Sequence, residues 1–330
     1  MGRISRRKFI EGSAKGAAVI SASGLVASCS FLGGKSNNGK VPQRILGKTG
    51  LEVSILSFGG GSQFAKNKGG EWEKLMEEAI HSGVNLFDTA PSYSTFKNSG
   101  QALGSDERFG LILPKYRGKV IISTKLETRD PGKVKEEIEG SLSRLGTDYI
   151  DILLIHSIED SDDISKIEKG VYKEMVALKK AGVARHIGFS SMDSARRSKE
   201  ILDNLDIDVA LLAMNATKYG NFAELALPSA IRQNTGVIAM KAMRSIIGKE
   251  GITASELLGY AWGQAGVASV LVGHYGVGTL KENIRLAQKY QEPAHVNADR
   301  QELESRLAIY AGPHALCWAR PGYVDGGVIT

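Results

Sequence analysis

The chain has 330 residues, 42% hydrophobic and 24% charged, a globular balance that excludes a disordered or collagen-like polymer. Its net charge of +6 is concentrated at one end: residues 1–29 hold Arg3, Arg6, Arg7, Lys8 and Lys15 against Glu11, leaving only +2 on the remainder. That is too little, and too dispersed, for a nucleic-acid surface. Two cysteines, Cys29 and Cys317, stand at opposite ends of the chain, so neither a disulfide framework nor a Cys-rich metal site is implied, and no metal is expected.

Residues 5–10 read SRRKFI and are followed by the mildly apolar run AKGAAVISASGLVAS. Basic residues before a short apolar run and small residues describe a bacterial export signal. The pair Arg6-Arg7 resembles a twin-arginine signal, which is read by a translocase that carries folded proteins. The run is broken by Gly16, Ser21, Ser23 and Gly24 and falls short of the roughly 20 apolar residues of a stable membrane span. VASC, ending at Cys29, resembles a lipobox, which implies lipidation of that cysteine; the bland alternative is an amphipathic tail with a chance cysteine. The expected domains are therefore a signal over 1–29, a Gly/Ser/Asn-rich tether over 30–41 and a folded body over 42–330. The expected location is outside the cytoplasm, periplasmic or membrane-anchored.

In the body, RILGKTGLEVS (44–54) places Lys-Thr-Gly between two apolar pieces and predicts a hairpin. Strands are then expected over 54–58, 84–87, 120–123, 149–155, 185–189, 209–213, 236–240 and 269–272, with starts 24 to 36 residues apart. Helical patterns lie between them; over 133–144, for example, Val134, Ile138, Ser141 and Leu142 share a face. YIDILLIH and SVLVG are almost unbroken apolar runs, as parallel strands covered on both faces require. Eight such units without a composition break predict an α/β fold, a (β/α)8 barrel, of which about 250 residues are typical. The hairpin would plug its N-terminal mouth and the C-terminal tail would lie over it. An open doubly wound sheet is the alternative.

In a barrel enzyme the reacting groups sit at the C-terminal ends of the strands. That rule selects Asp88 and Tyr93 in NLFDTAPSY, Lys125 in STK and His156 in DILLIH. The set suits hydride transfer to a carbonyl, in which a proton must reach the oxygen as negative charge develops. A tyrosine with an ordinary pKa of about 10 gives up its proton reluctantly, and a nearby ammonium makes it easier. An aspartate keeps that ammonium charged and placed, and an imidazole orients the carbonyl.

LGKTGLEVS, FGGG, NLFDTAPSY, STKL and IDILLIH resemble the successive signatures of the aldo-keto reductase superfamily, and the resemblance spans residues 44 to 283. It implies that Asp88, Tyr93, Lys125 and His156 form a catalytic tetrad with Tyr93 as general acid/base. It also implies an NAD(P)(H)-dependent oxidoreductase acting on a carbonyl or alcohol of small-molecule size. The chain has no GxGxxG after its first strand and no Walker loop; the resemblance places the dinucleotide across the barrel rim instead. Gly60 of FGGG, Ser190 and Ser191 of GFSS, and Met240 and Lys241 of VIAMK are then the expected cofactor contacts. LVGHYGVGTLKEN adds Gly273 and His274 toward a 2′-phosphate, Thr279 at a helix start, and Glu282 and Asn283 toward the adenine.

The chain departs from the family pattern in three places. Leu211 stands where the family often has Gln, Met240 where an aromatic often stacks on nicotinamide, and no Arg or Lys is evident in the 273–279 segment. NADP is expected, with NAD possible and the preference modest. Some relatives end in an iron–sulfur segment, which the single tail cysteine, Cys317, cannot build. The competing function is a noncatalytic nucleotide-binding sensor or subunit of an envelope complex.

Overall fold

Eight parallel strands close on themselves in the computed structural model, which describes residues 39–93, 103–291 and 297–323. They are β3 (Leu56–Gly59), β4 (Leu86–Asp88), β5 (Ile121–Leu126), β6 (Ile150–Ile155), β7 (Ala184–Ser191), β8 (Val209–Ala213), β9 (Gly236–Met240) and β10 (Val267–Gly273). Each pairs with its neighbour in sequence, and β10 pairs with β3 to close the ring. The (β/α)8 barrel expected from the strand spacing is the observed fold. The export motif, Cys29 and the tether up to residue 38 lie outside the described residues; the last residue of the expected tether, Val41, is buried and its amide donates to the Ser82 carbonyl at 2.9 Å. Among the described residues, no helix is long and apolar enough to cross a membrane.

β5 and β6 are buried along their whole length, because helices cover the outer face and packed side chains fill the inside. The helix Val134–Leu145 lays Val134, Ile138, Ser141 and Leu145 on the barrel and stops at Gly146, whose φ of 62° ends it in the left-handed conformation. β3 begins two residues later than expected, because Glu52–Ser54 pair as β2 with β1 (Gln43–Ile45) in an antiparallel hairpin. The plug forms as the sequence predicts. Leu46 is fully buried and sits against Gly236, at the start of β9, where any Cβ would overlap its side chain. Arg44 Nη1 donates to the carbonyls of Trp262 and Val267 at 2.9 and 2.8 Å, tying the hairpin to the entry of β10.

β5 and β7 run farther than their apolar cores suggest, to Leu126 and Ser191. Polar residues can continue a buried strand when each finds a partner, and these do: Ser123 Oγ donates to Asp88 Oδ1 at 2.9 Å, and Ser190 Oγ accepts from the Ser157 amide at 2.9 Å. Lys125 therefore sits inside β5 rather than just beyond it.

Candidate active site and cofactor rim

Asp88 ends β4 and Lys125 lies on neighbouring β5. Lys125 Nζ is 2.6 Å from Asp88 Oδ2 and donates to the Thr89 carbonyl at 2.7 Å. The lysine side chain is 1% exposed and the aspartate 5%, so each charge has lost most of its water and depends on the other. A second layer holds the pair. Thr89 Oγ1 donates to Asp106 Oδ1 at 2.7 Å, and Arg144 closes on the same carboxylate at 3.1 Å. Burial pushes the Asp106 carboxyl up, against the Thr89 hydrogen bond and the Arg144 charge.

Tyr93 is buried above this pair, with Lys125 Nζ 4.8 Å from its ring centroid. His156, just past β6, meets the Tyr93 ring edge-on at 5.8 Å and 76°. The four residues selected by the rim rule are thus brought together from β4, β5 and β6. A fifth belongs with them. Glu127 Oε2 lies 2.7 Å from His156 Nδ1. Burial would raise the Glu127 carboxyl, but the His156 hydrogen bond and charge, helped by Ser92 and Lys125, carry it down to about 2. The signal for Glu127 was present in STKLE: two residues after Lys125 on an extended strand, a side chain emerges on the same face.

On the opposite arc, between β7 and β10, the expected cofactor contacts divide. Ser190 is buried beside Leu211 in register. Ser191 projects to the other face of β7, and its hydroxyl is spent on the Ile158 carbonyl at 2.7 Å, so it is a loop anchor and not a rim donor. Gly60 is buried, its amide donates to the Asp88 carbonyl at 2.8 Å, and a Cβ there would overlap Ser105 Oγ. Close packing inside the protein accounts for that glycine. Met240 is buried at the end of β9.

Lys241 follows with φ +60° and reaches the Tyr323 hydroxyl at 3.2 Å. Arg244, which the sequence reading passed over, donates to Cys317 Sγ through Nε at 3.3 Å and to Ser62 Oγ through Nη1 at 2.5 Å. Burial would raise the Cys317 thiol, but the Arg244 and Ser245 hydrogen bonds and the charges of Arg244 and Lys241 lower it. The tail therefore packs over the loop after β9, and buried Trp318 stacks edge-on against Tyr219 at 5.5 Å.

At the end of β10, Gly273 faces Gln63, and beyond it Gly276, with φ 80°, caps the helix Val277–Lys289. Asn67 braces this turn: its Nδ2 donates to the His274 carbonyl at 3.0 Å and its Oδ1 accepts from the Gly276 amide at 2.8 Å. Buried Arg108 in turn holds the Asn67 and Phe64 carbonyls at 3.1 and 3.3 Å. Thr279 and Glu282 are exposed on the helix, whereas Asn283 is on its buried face. Lys281 is directed to Glu78 at 3.5 Å. The His274 imidazole is corrected outright. It is 2% exposed, lies 5.9 Å from the Phe58 ring, and neither ring nitrogen has a hydrogen-bond partner. It packs against Phe58 inside the protein.

The aldo/keto reductase family model matches residues 56–247, more than half of the chain. The chain belongs to the aldo-keto reductase family. It is 30% identical over 294 residues to an uncharacterized oxidoreductase of Bacillus subtilis, YqkF, covering 74% of this chain and 90% of that protein. It is 27% identical to L-galactose dehydrogenase of Arabidopsis thaliana over 84% and 97% of the two chains. A putative aldo-keto reductase from Pseudomonas aeruginosa superposes with a TM-score of 0.62 at 27% identity, covering 75% of this chain and 94% of that one. This aldo-keto reductase is accordingly an NAD(P)-dependent oxidoreductase. Its rim suits such a dinucleotide: two cations, Lys241 and Arg244, stand on the loop after β9, and a helix begins behind Gly276.

His274 makes the protein acid-sensitive in a defined window. Burial holds its imidazole down at about 3, whereas in the unfolded chain it titrates near 6.5. Below that value the unfolded chain binds a proton that the folded one refuses, so stability is full above about pH 6.5 and falls toward pH 3. The slope from this residue is up to ~1.4 kcal/mol per pH unit. In urea melts between pH 4 and 7, His274→Phe should flatten the pH dependence relative to wild type by close to one proton. Parallel curves for the two proteins would refute the assignment.

Proposed function

We propose that this aldo-keto reductase transfers hydride between NADP and a small carbonyl or alcohol, with Tyr93 as the general acid/base. The observation that carries the reading is the buried Lys125–Asp88 ion pair set under the Tyr93 ring. An ammonium 4.8 Å from the ring centroid, in a site that excludes water, favours the phenolate and eases departure of the Tyr93 proton. Asp88 keeps Lys125 charged and fixed, and His156 orients the reacting oxygen. The nicotinamide, when bound, supplies or receives the hydride. Ser190 and Met240 would face the nicotinamide end, and Lys241 with Arg244 the phosphates.

We further propose export in the folded state through the twin-arginine motif, with Cys29 as a lipid anchor. An enzyme exported with its cofactor loaded must hold it tightly, and the tail stitched over Lys241 and Arg244 suits that demand.

Tyr93→Phe should lower carbonyl reduction by about 10² or more while nucleotide affinity stays near normal; unchanged turnover would remove Tyr93 from its role. Titration of the apo protein by tryptophan fluorescence should give NADP tighter than NAD by about tenfold, ~1.4 kcal/mol, because Arg244 is shared with Ser62 and Cys317 rather than committed to one phosphate. A preference for NAD would reverse the cofactor assignment. Replacing Arg6 and Arg7 together by Lys should retain a folded reporter fusion in the cytoplasm, and normal export of that fusion would discard the twin-arginine reading.

A further inference from the structure

The pairing of His156 Nδ1 with Glu127 Oε2 at 2.7 Å determines which atom of the imidazole can serve the reaction. We propose that Glu127 is a positioning residue that keeps a proton on His156 Nδ1 in every protonation state, so that Nε2 is the ring nitrogen that titrates and that donates to or accepts from the reacting oxygen, while Tyr93 exchanges the proton with it. This rests on the tetrad reading above for its catalytic consequence, but not for the coupling itself.

A carboxylate can only accept a hydrogen bond, so a contact of this length requires the proton on Nδ1. The Glu127 carboxyl stays ionised far below neutral pH, at about 2. A neutral His156 then carries a bare Nε2, which can accept but not donate. Only the imidazolium has an Nε2–H to give to a carbonyl oxygen. Glu127 favours that imidazolium by its charge, although water reaches the pair, since the glutamate side chain is 36% exposed. Reduction therefore needs the charged ring and alcohol oxidation the neutral one. The two directions should separate in pH along a limb that belongs to His156 and not to Tyr93.

Glu127 is itself built in. Its amide donates to Glu137 Oε1 at 2.6 Å, the Thr128 amide to Glu137 Oε2 at 3.1 Å, and the Ser92 amide to Glu127 Oε1 at 3.4 Å. Among the described residues, the neighbouring charged and titratable groups have partners of their own. Glu137 is occupied by those two amides, Lys125 is paired with Asp88, the Tyr93 ring lies edge-on, and Arg129 is paired with Asp162 at 3.0 Å while donating to the Ser157 carbonyl. Glu127 is the carboxylate in direct contact with the imidazole.

The test is Glu127→Gln in the full chain, which can still accept from Nδ1 but carries no charge. Imidazole ¹⁵N resonances, with His156 assigned from a His156→Asn variant, report both tautomer and midpoint. In wild type, Nδ1 should stay protonated throughout. In E127Q the His156 midpoint should fall by about one pH unit or more, and the alkaline limb of kcat for reduction should move down with it, while KM changes less than about threefold and Glu127→Asp restores part of the shift. Should E127Q not fold, wild type in about 1 M salt reads the same pair, because screening should lower the midpoint. A proton on Nε2 in neutral wild type, or the same midpoint with and without the Glu127 charge, overturns the proposal. If the midpoint moves as expected but Tyr93→Phe keeps full activity, the tetrad reading falls and the control of His156 by Glu127 stands.

Discussion

A lysine and an aspartate, both cut off from water, hold the reactive end of this barrel together. Lys125 and Asp88 each give up hydration worth several kcal/mol, and removing either one would leave an uncompensated buried charge at a cost of about 3–5 kcal/mol. The structure meets that demand by surrounding the pair. Ser123 and Thr89 each contribute an oxygen, and behind Thr89 the buried carboxylate of Asp106 is held by Arg144 from the helix Val134–Leu145. The Lys125 ammonium on β5 is thus anchored through β4 and two covering helices. The rigidity that places it under Tyr93 comes from the whole barrel wall.

The cofactor rim is organised on the opposite principle. Its cations, Lys241 and Arg244, are half-buried and shared among Tyr323, Cys317 and Ser62, so the tail can hold them without committing either to a single anion. After β10, the turn at Gly276 is braced by Asn67, and Asn67 by Arg108, through contacts to backbone atoms. Contacts of that kind specify the shape of the turn independently of the side chains on it. The orphaned imidazole of His274 is the one costly feature of this brace: a buried polar ring without a partner forgoes about 1–3 kcal/mol, and acid exposes the debt.

How much of this was legible in the chain follows from which physical regularities are local. The eight strands, the plugging hairpin and the helix ending at Gly146 can be read from apolar runs, turn residues and spacing, since burial on both faces leaves a mark on every residue of a parallel strand. The rim rule then finds Asp88, Tyr93, Lys125 and His156, because strand ends are visible once strands are. Glu127 was within reach through the period of two. Side-chain direction after a strand ends was not: Ser191 and His274 lie in segments that match the expected pattern, yet one anchors a neighbouring loop and the other is buried against Phe58.

What the sequence alone determined is the barrel, the order of its units and the set of groups capable of the chemistry, because strand burial and strand ends are properties of short segments. What only the tertiary structure decided is which groups meet: Glu127 with His156 across two strands, Arg244 with Cys317 across 73 residues, and Asn67 with the Gly276 turn across 209. Those meetings depend on strand register and on where the tail lands. Register and landing are set by the packing of the entire ring, which no window of neighbouring residues contains.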